Sequence, residues 1–290
     1  MMSWGPDKKQ GAVLFSFDNM GEAADLEAGV WPQDEPVGRH KSVHETLPFL
    51  LNTLAEYGLR ATFFLEAWNV DHYPDAVRSI ANAGHEVGNH GYRHESWFSL
   101  PQDRQITTLR HAHERFASIG VKPRGFRPPG GISSAATEAL MAELNYVYIS
   151  PTRGGFGVRN GLAVLPNRPE YADVSYYAKA FRPFRDPAAR GATNGATFVD
   201  AFARMLEKIV ERGEIQSPTC HVTTPLDSLE RRDAFRRIVE MTMAAQDRLW
   251  HPTFVEAAEW ILTQDMPEIP DSGFDHWDAR TFFKGELLAE

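Results

Sequence analysis

Short apolar runs alternate with amphipathic stretches along most of this chain. Residues 11–17 (GAVLFSF) form an apolar run that leads into Asp18 and Asn19, the pattern of a buried strand with polar groups at its C-terminal end. In residues 42–57, Val43, Leu47, Leu50, Leu51 and Leu54 recur near the helical period, and Gly58 follows as a stop signal. Residues 60–65 read as a second strand, 74–83 as a helix closed by Gly84, and 85–90 as a third strand. Residues 101–119 read as a helix with Pro101 near its first turn and Gly120 at its end.

The alternation continues with a short strand at 125–127, a helix at 134–144 and a strand at 146–149. Residues 152–169 are rich in Gly, Pro, Arg and Asn and read as loop, with one strand around 162–165. Residues 197–212 form an amphipathic helix stopped by Gly213, 219–223 a short strand, and 229–249 and 254–262 two further helices. Periodicity weakens after Gln264, and no repeat, low-complexity tract or linker divides the chain. Strands alternating with helices imply a parallel sheet. The polar clusters follow successive strands, as active sites do at the C-terminal mouth of a barrel. A single α/β barrel is therefore favoured over an open doubly wound sheet.

Composition narrows the function classes. With 290 residues, 42% apolar and 24% charged, the chain can bury a sizeable core as one large α/β domain. Its 39 acidic against 30 basic residues give a net charge of -9, which argues against a nucleic-acid partner. The lone Cys220 excludes an internal disulfide framework and fits a reducing compartment. The N-terminus is polar, without the apolar core of a signal peptide, and no run is long enough to span a bilayer. These features lead to the expectation of a cytoplasmic protein with no membrane partner.

Three clusters carry the candidate chemistry: Ser16-Phe17-Asp18-Asn19, His90-Gly91-Tyr92-Arg93-His94 and Arg127-Pro128-Pro129-Gly130. Cys220-His221 on a late strand is a weaker fourth. Histidines at i and i+4 can point two imidazoles at one divalent metal, yet that spacing alone fits a structural or surface pair equally well. The chain has 11 histidines, and His40 with His44, or His111 with His113, read as solvated polar positions. Asp18 suits either a loop-capping carboxylate or a general base that deprotonates water. Arg127 suits either a surface cation or, on the rigid backbone before two prolines, a fixed salt bridge to a carboxylate. A Cys220–His221 nucleophile is rejected, because neighbours on a strand point to opposite faces. The Tyr and Phe residues of 171–184 suit either a sugar site or ordinary packing.

Taken together, these motifs resemble the polysaccharide deacetylase, or NodB-homology, family over roughly residues 11–262. The family's Thr-Phe-Asp-Asp is matched by Ser16-Phe17-Asp18-Asn19. Its His-(Ser/Thr)-x-x-His is matched by His90 to His94, its Arg-Pro-Pro-(aromatic)-Gly by Arg127 to Gly131, and its strand-borne histidine by His221. The resemblance implies a distorted (β/α)7 barrel, here one domain over 1–290. It also implies Asp18 as catalytic base held by Arg127, His221 as general acid, and the Gly130 N–H at the oxyanion. His90 and His94 would bind a divalent metal, with zinc expected. The third ligand would fall on Asn19, an amide where the family carries a carboxylate, and Met20, Glu22 and Asp25 are the alternatives nearby. Gly91 stands where a hydroxyl is usual and Gly130 where a ring is usual. Asp173, in PEYADVSYY, is the candidate for the family's remaining motif, which supplies an Asp beside the acid. The implied reaction is hydrolysis of a non-peptide C–N bond, by deacetylation of an N-acetylated sugar or a related amide. His-Gly-Tyr-Arg-His also resembles the allantoinase-like and cyclic-imidase branch, which opens small cyclic amides. An inactive barrel serving as a binding protein ranks third, on Asn19 alone. The expected partner is a small molecule or an oligosaccharide, with homo-oligomer formation left open.

Overall fold

The computed structural model describes residues 3–189, 193–224, 226 and 228–270. The expected single domain extends to residue 290, and its last stretch, 271–290, lies outside the described residues. The apolar run at 11–17 yields two strands, β1 (Gly11–Val13) and β2 (Ser16–Asp18), with a break at Leu14 and Phe15. They are followed by β3 (Thr62–Leu65), β4 (Glu86–Asn89), β5 (Gly125–Phe126), β6 (Tyr148–Ile149), β7 (Gly157–Arg159), β8 (Leu162–Val164), β9 (Ile215–Gln216), β10 (Thr219–His221) and β11 (Leu249–Trp250).

Among the described residues these strands form two sheets. The larger has the order β10-β2-β3-β4-β5-β6-β8-β7, parallel throughout except for the β7–β8 pair. The smaller has the order β11-β1-β9. The break between β1 and β2 lets one apolar run serve both sheets, and its hydrogen bonds continue across it. Leu14 N–H donates to Gln216 at 2.9 Å, and Thr62 N–H to Phe15 at 3.0 Å. The neighbouring run breaks at the same level, between β9 and β10, where Pro218 has no N–H to give a ladder. The larger sheet curls like part of a barrel wall, and its end strands β7 and β10 do not pair with each other. On the β7 side, Val158 donates to Pro267 at 3.0 Å and accepts from Ile269 at 2.7 Å, which covers the edge. On the β10 side, Asp173 N–H donates to Thr219 at 3.0 Å.

Helices pack on the outside through apolar stripes. In Gly195–Arg212 the buried Phe198, Ala201, Phe202, Met205 and Ile209 recur at three- and four-residue steps. Asn194 caps its first turn by accepting the Thr197 N–H, and Gly213 ends it at φ 65°. Helix Leu229–Ala244 is shorter than its pattern suggested. The chain turns at 245–248, and Leu249 becomes part of β11 beside Gly11. Between sheet and helices lies a core of aromatic rings, with Phe17 stacked on Phe63 at 4.6 Å. All C-terminal ends of the parallel strands open on one side, and the polar clusters converge there.

Candidate active site

Asp18 ends β2, and His221 ends β10 directly opposite it in register. The two are neighbours on adjacent strands. Arg127 follows β5 and reaches across the sheet interior to Asp18, with Nη1 donating to Oδ1 at 2.5 Å; the pair is almost fully buried. Ser16 and Thr219 accept from the same Nη1 at 3.1 and 3.4 Å, and Ser150 accepts from Nε at 3.1 Å. The guanidinium lies 3.9 Å from the Phe64 ring centroid. Such a bed holds the cation flat and aims the carboxylate towards the strand ends.

His90 and His94 follow β4 on a turn that needs positive φ at Gly91 (82°) and His94 (70°). A carbonyl can only accept, so the 2.7 Å contact between His90 Nδ1 and the Arg127 carbonyl assigns the proton to Nδ1. Nε2 is then left as a free lone pair, the arrangement seen in metal-bound imidazoles. The rings of His90 and His94 stand 4.9 Å apart, edge to face. Two imidazoles sharing one ion at about 2.0–2.1 Å would place their centroids roughly 5 Å apart. Burial, with the proximity of other cations, pushes both pKa values down to about 3, so both rings are neutral near pH 7. Asn19, at φ 56°, lines the same cleft, and its buried Oδ1 has no hydrogen-bond partner. Two imidazole nitrogens and an orphaned amide oxygen fit a divalent metal. Among the described residues, no group of three His, Cys, Asp or Glu side chains does so.

His221 is held from behind by Asp173. Its Nδ1 lies 2.6 Å from Asp173 Oδ1, and its main-chain N–H donates to Oδ2 at 2.9 Å. Burial lowers the His221 pKa. The charge and hydrogen bond of Asp173, with the charge of Asp18, more than reverse that, and the net shift is upward. Asp18, Asn19, His90, His94, Arg127, Gly130 and His221 all line one cleft of about 630 Å³. The Gly130 N–H has no acceptor among the described residues.

Residues 7–149 match the family model for polysaccharide deacetylase. This stretch, about half of the chain, carries a polysaccharide deacetylase domain. It is 37% identical over 90 residues to the peptidoglycan-N-acetylglucosamine deacetylase of Bacillus cereus, covering 30% of this chain and 32% of the relative. The chain spans about a third of the length of the first curated relatives it matches. A candidate polysaccharide deacetylase from Mycobacterium smegmatis superposes with a TM-score of 0.78 at 25% identity, covering 93% of this chain and 96% of that one. Puue allantoinase shares the fold, with a TM-score of 0.70 at 18% identity over 88% of this chain and 91% of that one.

The structure also places the remaining candidates. Asp173, expected beside the acid, bonds His221 from behind and does not itself line the cleft. Met20 is fully buried in the core, and Glu22 is occupied by the Tyr73 hydroxyl and the Gly38 and Arg39 N–H groups, so neither is available as a ligand. Asp25 does line the cleft. Cys220 packs in the core, and burial pushes its thiol pKa well above the ordinary value. At Gly91 an added Cβ would meet Glu95 Oε2 at 2.9 Å, so a carboxylate already occupies the space beside that position. Of the aromatic stretch, Tyr177, Phe181 and Phe184 line the cleft, while Tyr171 and Tyr176 pack in the core. His40, read as a solvated histidine, also lines the cleft. A histidine in a polar loop carries no period or motif that could have singled it out.

Proposed function

We propose that this cleft hydrolyses a carbon–nitrogen bond other than a peptide bond, by removing the acetyl group of an N-acetylated sugar. The observation that carries the reading is the convergence of Asp18, Arg127, His90, His94 and His221 on one cleft. The peptidoglycan and chitin substrates in the names of the relatives agree with it.

Asp18, aimed by Arg127, takes a proton from the water that attacks the acetyl carbon. As the carbonyl oxygen gains negative charge, the Gly130 N–H donates to it. His221, held by Asp173, whose charge and hydrogen bond raise its pKa, gives a proton to the leaving nitrogen as the C–N bond breaks, so acetate and a free amine result. His90, His94 and Asn19 would hold a divalent metal, zinc by the chemistry of the imidazoles. When bound, it supplies positive charge that polarises the carbonyl and acidifies water.

Ring opening of a small cyclic amide is the second reading, favoured by the letters of His90-Gly91-Tyr92-Arg93-His94. One assay separates the two. The protein is stripped with a chelator, resupplied with zinc, and tested for acetate release from N-acetylated chito-oligosaccharides and for ring opening of cyclic amides. Zinc-dependent acetate release is expected. Ring opening without acetate release would favour the second reading. No turnover of any compound would leave the barrel as a binding protein.

A further inference from the structure

The segment between β2 and helix Leu47–Tyr57 sends two groups into the cleft that no family motif accounts for, Asp25 and His40. His40 is fixed through its main chain. Its N–H donates to Tyr73 Oη at 2.9 Å, and the Tyr73 hydroxyl donates to Glu22 at 2.7 Å. Glu22 also accepts the N–H groups of Gly38 and Arg39 at 2.9 and 3.3 Å, so one buried carboxylate organises the whole turn.

The side chain of His40 is fixed as well. The Ser42 main-chain N–H donates to His40 Nδ1 at 3.1 Å. A main-chain N–H can only donate, so Nδ1 carries no proton. Ser42 Oγ receives the Gly21 N–H at 2.9 Å and lies 2.6 Å from the same Nδ1, to which it gives its own proton. The five residues Ser42–Thr46 take a π-helical turn, a feature often found at functional sites. The ring proton therefore sits on Nε2, which has no hydrogen-bond partner among the described residues. Trp31 packs beside the ring at 5.5 Å. Burial, opposed by the charges of Glu22 and Asp25, lowers the pKa and favours the neutral ring.

We propose that His40 and Asp25 form a recognition subsite for a neutral hydroxyl or amide group near the scissile bond, with His40 Nε2–H donating to it and the Asp25 carboxylate accepting from it. The proposal rests on the hydrolase reading of the cleft. A hydroxyl or amide both donates and accepts, which matches this pair, whereas an anionic group would face the Asp25 charge. His40 then binds substrate equally before and during reaction. Loss of such uniform binding raises KM and leaves kcat largely unchanged.

The test compares His40→Phe, which keeps a ring and removes the donor, with His40→Gln, whose amide N–H can take the place of Nε2–H. KM and kcat are measured on whichever acetylated oligosaccharide or cyclic amide the wild type turns over. His40→Phe should raise KM about tenfold, the size of one lost hydrogen bond, with kcat little altered, and His40→Gln should recover most of the loss. An unchanged KM in His40→Phe, or an equal fall of kcat in both variants, would overturn the proposal. In parallel, wild-type protein with 15N-labelled histidines is titrated with N,N′,N″-triacetylchitotriose. A shift of the His40 Nε2–H signal alongside that of His221 supports the subsite, and a shift of His221 alone overturns it. If the wild type turns over nothing, the hydrolase reading fails. The titration then still decides the subsite, with no shift at His40 counting against it.

Discussion

Asn19 concentrates the main question at the scale of single residues. It keeps the shape of a metal-binding side chain and removes its charge, and its Oδ1 is buried without a partner. Coulomb attraction between a carboxylate and a dication in a partly dry cleft is large. Asn19→Asp should therefore tighten zinc binding by about tenfold or more, roughly 1.4 kcal/mol or more. Calorimetric titration of the metal-free protein checks this, and equal or weaker affinity would mean that Asp25 or solvent already completes the shell. His221 gives a second prediction. Its pKa is raised above the ordinary 6.5, against the pull of burial, by Asp173 and Asp18. A general acid works only while protonated, so kcat/KM should fall as pH rises through that raised value. Asp173→Asn removes the charge and should move this limb to lower pH. The same linkage means that the His221–Asp173 pair contributes its full stability below pH 6.5 and loses it as pH rises through the folded-state value. A pH profile of both proteins that superposes would remove Asp173 from this role. Asp18, His90, His94, Arg127 and His221 were legible in the sequence because each stands in an ordered motif at or just after the end of a strand. His40 was not, because what distinguishes it is a hydrogen bond to Ser42 and a place in the cleft. Asp173 was found, but its side of His221 could only be seen once Ala172 and Asp173 lay along the edge of β10.

At the scale of elements, the strands are short and their packing is tight. β5 has only Gly125 and Phe126, yet it carries Arg127 to the cleft. A Cβ at Gly125 would overlap the Tyr148 ring, whose hydroxyl donates to the half-buried Glu86 at 2.7 Å. Gly125→Ala should therefore destabilise the protein by about 1–3 kcal/mol, the usual cost of overpacking a core. It should also reduce activity by shifting Arg127. A thermal melt and an activity measurement on the same sample check both, and an unchanged melting temperature would show that Tyr148 moves freely. The long helices were legible because an apolar stripe repeated over several turns is a strong signal. The strands β7, β9 and β11 were not, because two or three residues cannot display alternation. The break in the run at 11–17 was also invisible, since both halves are equally apolar and only the competing partners β9 and β10 separate them.

For the whole molecule, the sheet has to bring residues distant in the chain to one rim. Asp18 belongs to the second strand and His221 to the tenth, and the β10–β2 pairing sets them side by side. The alternation of strands and helices predicted a parallel sheet, and the curled wall fits it. The incomplete closure, with β7 antiparallel and the end strands unpaired, could not be read from alternation alone. The central claim is that Asp18 and His221 serve one reaction as base and acid. Its most direct test is kcat/KM for zinc-loaded wild type, Asp18→Asn and His221→Ala on a substrate that the wild type turns over. Each substitution should lower kcat/KM by something on the order of 10²–10⁴-fold, with folding intact by circular dichroism. Activity retained within a few fold in either variant would contradict the assignment of that residue, and retention in both would contradict the account of the cleft.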